Sequence, residues 1–137
     1  MIAGKWTYRS YRNDPALVNG NAQKALTDIF GEGVFTLATP TPDTITGVFD
    51  MGGGYVLDIT GKLAHAAGAV SNIAMAGVGR AGTPTDGWEY DYNAIPGYAW
   101  PTGVDQVPSF VGTVLRAKPH NGSPSGFTAS FISVRQP

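Results

Sequence analysis

The feature that most constrains this chain is a recurrence. Short stretches in which residue character alternates from one position to the next are each closed off by Gly, Pro, Asn or Asp. Successive side chains of a strand point to opposite faces, so such alternation marks a half-buried β-strand. The stretches are Gly4–Tyr11, Val34–Thr39, Thr44–Met51, Tyr55–Leu63, Ile73–Arg80, Trp88–Ala94, Phe110–Ala117 and Phe127–Arg135. PTPD (40–43), GGG (52–54) and KPHNGSPSG (118–126) supply turn signals between them. Eight strands of this length predict an all-β fold, an eight-stranded antiparallel up-and-down β-barrel. Closure removes the sheet edges and leaves an interior filled by side chains or holding one small ligand. One segment breaks the pattern. Ala25, Leu26, Ile29 and Phe30 fall at helical spacing, with Asn21 placed to cap and Gly31 beyond the end. The spacing predicts a short helix over Ala22–Phe30. No composition shift marks a boundary, so residues 1–137 are expected to form a single barrel domain.

Alternation assigns faces. Trp6, Tyr8 and Ser10 share one face of the first strand, Tyr55, Leu57 and Ile59 one face of the fourth, Trp88, Tyr90 and Tyr92 one face of the sixth, and Phe127, Phe131 and Arg135 one face of the last. These aromatic faces are expected to point inward. The opposite faces of strands five, seven and eight carry Ala74, Ala76, Val78, Phe110, Val114, Ile132 and Val134. An apolar outer wall needs a cover, either the short helix or another subunit, and the second is favoured. Charged residues make up only 14% of the chain, against the usual ~25%, and both observations predict a homo-oligomer.

Other classes fall away. The net charge of −1 gives no basic footprint for nucleic acid. The absence of cysteine removes disulfide and thiolate chemistry. No apolar run nears the ~20 residues of a spanning helix and no apolar stretch precedes Gly4, so no membrane association is expected and the protein is expected in the cytoplasm. GGG lacks the Lys and helix of a phosphate loop. The only histidines, His65 and His120, lack a third residue spaced to complete a metal site and are expected to be solvated loop residues. No cofactor or metal is expected, and no catalytic set is recognisable.

Gly4-Lys5-Trp6 on the first strand, with Arg135 near the end of the last, resembles the calycin group of barrels, which includes lipocalins and avidins. The resemblance implies that the first and last strands are neighbours and that Arg135 crosses over Trp6 at a closed end. VFTLATPTPDTITGVFD, YVLDITGKL and DGWEYDY are more similar to avidin and streptavidin, loosely, over Gly33 to Tyr92. The biotin-binding residues do not carry over. The family's Asn two positions after the first Trp is Tyr8 here, and its Ser six positions after is Arg12. The Tyr and Ser of its Thr-Gly motif fall on Phe49 and Met51, and its ligand-stacking Trp on Tyr92. Biotin binding is therefore not expected. The chain as a whole is also similar to small uncharacterised bacterial proteins of this length, a resemblance that implies no activity.

The expected site is a cavity for a small, largely apolar or aromatic molecule among Tyr8, Phe49, Tyr55, Tyr90, Tyr92 and Phe127, with Trp6 and Arg135 as structural closure. The stretch IPGYAWPTGVDQVPSF is too long for a hairpin turn, and long loops often serve as lids. Trp100 and Tyr98 are thus expected over the barrel mouth, or else packed under the loop or at a subunit contact. Arg9 and Arg12 are candidates to receive an acid group at the open end, and Asp58 and Lys62 read as a solvated pair. The alternatives are an isomerase- or cyclase-like enzyme that steers its substrate by cavity shape, and a non-catalytic oligomeric protein with a filled core.

Overall fold

The computed structural model describes residues 2–137. Its elements in chain order are β1 (Gly4–Arg12), α1 (Ala22–Leu26), β2 (Ile29–Ala38), β3 (Thr44–Asp50), β4 (Val56–Ala66), β5 (Ala69–Gly79), β6 (Glu89–Pro96), β7 (Ser109–Arg116) and β8 (Thr128–Val134). Each strand pairs antiparallel with the next, and β8 returns to β1 from Arg9↔Ile132 to Arg12↔Ala129. The result is the closed eight-stranded up-and-down barrel that the alternation predicts.

The closed end is built around Trp6, which is 1% exposed. Its indole Nε1 donates to the Ile2 carbonyl at 2.7 Å. The Arg135 guanidinium sits 5.7 Å from the indole centroid, close enough for a cation–π attraction of about 0.5–2 kcal/mol. Gly4 makes this possible in two ways. Its φ of +134° lies where side chains are strained, and a Cβ there would stand 2.9 Å from Arg135 Nη2. The opening Gly-x-Trp is therefore one half of a lid whose other half arrives from the far end of the chain.

Above Trp6 the barrel is filled. Phe110 packs on the indole at 4.8 Å, and Phe35, Ile45 and Ile73 are fully buried with it. Next comes a layer of edge-on rings. Tyr8 meets Phe49 at 4.8 Å, Phe131 at 5.1 Å, Phe35 at 5.4 Å and Tyr92 at 6.0 Å. Such tilted and T-shaped pairs place ring edges on ring faces and add to the gain from burial.

Several boundaries and faces differ from expectation. The helix stops at Leu26, and Ile29, Phe30 and Gly31 belong to β2. The helix buries no residue, whereas Ile29 and Gly31 gain ladder partners in Tyr11 and Ser10. Phe110 and Val114 point inward, not outward, and are 0% and 2% exposed. β7 carries apolar residues on both faces, so alternation alone does not orient it. Pairing decides, because Val114 sits opposite the interior Tyr92. The outer wall does expose Val78, Ile95 and Ile132. No helix among the described residues is long and apolar enough to cross a membrane.

Candidate functional site at the barrel mouth

At the end opposite Trp6 the rings stop short of the rim. A cavity of about 250 Å³ opens there, with Tyr8, Phe49 and Tyr92 among its lining. Ser10, Phe30, Gly31, Met51, Leu57, Trp88, Tyr90, Val114 and Arg116 complete it. Gly31 helps to create the space, since β2 contributes no side chain there and the nearest atom to a Cβ would be Ser10 Oγ at 3.4 Å. A β-bulge shifts the register between Ser10 and Tyr11, which pair with Gly31 and Ile29. The skipped residue, Phe30, turns into the mouth.

Four of the expected lining residues, Tyr8, Phe49, Tyr90 and Tyr92, come together here. Three do not. Tyr55 has left the ladder after the GGG turn, where Gly52, Gly53 and Gly54 all have positive φ, and it stands half-exposed on the rim, 5.8 Å from Trp88. Phe127 packs on Phe30 at 5.1 Å and lies under Arg116 rather than in the cavity wall. Trp100 lies at the wrong end. The 97–108 connection joins β6 to β7 beside Trp6, where Ile2, Trp6, Tyr98 and Val107 border a separate open groove of about 460 Å³. Trp100 is exposed there and edges against Tyr98 at 4.9 Å. The loop therefore does not cover the mouth cavity.

Arg116 and His120 also meet at this end, although neither is among the expected site residues. Arg116 is 8% exposed. Its guanidinium carbon lies 5.2 Å from the Phe127 ring centroid and 5.4 Å from that of Phe30. Nε donates to the Tyr90 hydroxyl at 3.3 Å and Nη1 to the Pro124 carbonyl at 3.2 Å. No carboxylate forms an ion pair with it among the described residues. His120 is not a solvated loop residue. It stacks on Trp88 at 4.0 Å, its Nε2 is 2.8 Å from the Tyr90 hydroxyl, and its Nδ1 is buried without a partner. Burial, with the Arg116 charge second, holds its pKa below the ordinary histidine value, so the imidazole is neutral at pH 7.

That neutral ring fixes the hydrogens. If Tyr90 donated to Nε2, a buried Nδ1–H would be orphaned, and orphaned donors are the rarer and costlier case. If Nε2–H donates instead, Tyr90 Oη accepts from both His120 and Arg116 and keeps its own O–H for the cavity. The deeper phenols are donors too. Burial pushes the Tyr8 and Tyr92 pKa values well above their ordinary value, which keeps both protonated. The two arginines expected at the open end are occupied: Arg9 pairs with Glu32 at 3.3 Å, and Arg12 with Asp28 at 3.0 Å. Asp58 pairs with Arg80, which holds its pKa down through their hydrogen bonds, rather than standing beside Lys62 as a solvated pair. His65 lies at the Trp6 end, 3.3 Å from Asp43.

The site is thus an aromatic cup with phenol donors and a cation, and no Asp or Glu among the described residues lines it. The fold and site define a closed eight-stranded barrel with a small cavity at its mouth. Comparison of the chain with models of known protein families, with curated proteins and with solved structures finds no match.

Proposed function

We propose that the protein binds a small, largely apolar or aromatic molecule in the barrel mouth. The observation that carries this reading is the cavity of about 250 Å³ walled by Tyr8, Phe49, Tyr90 and Tyr92 above a filled barrel. Ligand sites are concave, mainly apolar and furnished with a few placed polar groups, and typically span ~300–1,000 Å³. A cup somewhat below that range suits a single ring or a branched chain of similar bulk. Binding is preferred to catalysis because the cavity lining is mainly aromatic and aliphatic and, among the described residues, includes no Asp or Glu. The architecture also supports kinship with calycin-like, avidin-like barrels, but the site does not support biotin, since Tyr8, Phe49 and Tyr92 occupy the places of polar and stacking groups. The exposed Val78, Ile95 and Ile132 support self-association through the outer wall, which sedimentation measures.

The test is ligand-observed NMR with monocyclic aromatics against the wild type and Gly31→Val. The added side chain enters the cavity where a Cβ makes ordinary contacts, so the barrel should fold and binding should be lost. Unchanged binding by Gly31→Val would place the ligand elsewhere.

A further inference from the structure

The cavity contains a charge that no carboxylate among the described residues answers. Arg116 is almost completely removed from water, and a buried cation is costly unless it is paired. Arg9 and Arg12 have their own carboxylates. Arg116 has ring faces, one phenol oxygen and one backbone carbonyl. Ring faces attract the guanidinium without neutralising it. Of its five N–H donors, those on Nε and Nη1 account for the two side-chain hydrogen bonds in the structure. Arg116 is also part of the cavity lining, and Tyr90 brings its hydroxyl to the same spot.

Resting on the binding reading above, we propose that the ligand is a small monocarboxylate whose acid group meets Arg116 and the Tyr90 hydroxyl while its apolar body fills the cup. The planar guanidinium fork matches a carboxylate, and hydrogen bonds between charged partners are the strong ones. One cation without an anion calls for a ligand with one negative charge. A phosphate monoester, nearer two charges at neutral pH, would bring more charge than this site answers. The pairing would also give the protein a reason to keep an arginine under aromatic rings, which as a purely structural device is an expensive choice.

Calorimetric titration with benzoate and with nitrobenzene, a neutral molecule of nearly the same shape, tests this on the wild type and Arg116→Met. The expected result is a wild-type preference for benzoate of about tenfold or more, the range of a charged hydrogen bond. Arg116→Met should lose that preference and still bind nitrobenzene. Equal affinities in the wild type would overturn the carboxylate assignment and leave the binding cavity standing. Phenyl phosphate binding more tightly than benzoate would overturn the single-charge assignment. Binding of neither benzoate nor nitrobenzene would overturn the binding reading and this inference together. Should Arg116→Met fail to fold, the wild-type comparison alone decides.

Discussion

Gly4 and Trp6 show how much one missing Cβ can carry. The Arg135 guanidinium occupies the space beside Gly4 and caps the indole. Trp6→Ala should cost ~3–5 kcal/mol, as loss of a buried large aromatic does, measured by urea unfolding. Gly4→Val should also destabilise, because it both strains the backbone and displaces Arg135, and adding Arg135→Ala to it should cost less than the sum of the two changes. Full additivity would show that the two residues are not coupled. At the other end, His120 is the residue whose charge the fold resists. Its folded pKa lies below its unfolded one, with burial first and Arg116 second as causes, while Trp88 and Tyr90 give its ring no counter-charge. Below about pH 6.5 the unfolded chain therefore binds more protons at this site. Its contribution to stability falls as pH drops through that value and levels off once the folded protein is protonated as well. Replacement His120→Phe keeps a ring for Trp88 to stack on and should flatten the pH dependence in that window. An unchanged profile would assign the pH response to other groups.

Strands and helix differ in how far local pattern governs them. The strands are legible because each is punctuated and most alternate, and Trp6, Tyr8, Tyr90 and Tyr92 fall on the aromatic faces that the alternation turns inward. Phe110 and Val114 do not, because β7 is apolar on both faces and only its pairing with β6 orients it. Arg116 follows from the same correction. Two residues beyond Val114 on the inward face of β7, it is an interior arginine once Val114 is interior. His120 had no periodic signal at all, since a turn between β7 and β8 carries it back over Trp88. The Ala22–Phe30 segment matched a helix by spacing, yet β-pairing claims Ile29 and Gly31, and what remains is five residues capped by Asn21 with none buried. Helices that short are marginal in water without packing. Amide exchange should therefore show residues 22–26 opening locally, far below the protection of β5 and β6. Asn21→Ala should remove a cap worth ~1 kcal/mol to the helix while leaving global unfolding nearly unchanged. A large global loss would mean that α1 packs on the barrel more tightly than its exposure indicates.

At the scale of the molecule, closure places Lys5 beside Gln136 and separates two barrel ends with different work. The Gln136 amide donates to the Lys5 carbonyl at 2.8 Å, and Trp6 bridges Arg135, so a short flexible linker can join the ends. The 97–108 loop and the Trp6 lid share one end, while the aromatic cup occupies the other. If the barrel is held by its ladders and its filled core, the order in which the strands are synthesised should matter little. A circular permutant joined through the old ends and opened between Val104 and Asp105 should then fold, since Val104 is exposed and breaks there are best tolerated at loop tips. It tests the division of labour as well. New termini beside Tyr98 and Trp100 lie at the far end from Tyr90 and Arg116, so ligand affinity measured by calorimetry should match that of the natural chain order. A folded permutant that had lost its affinity would assign the loop a part in binding and move the site toward the Trp6 end. An unfolded one would show that the 97–108 loop holds the barrel shut.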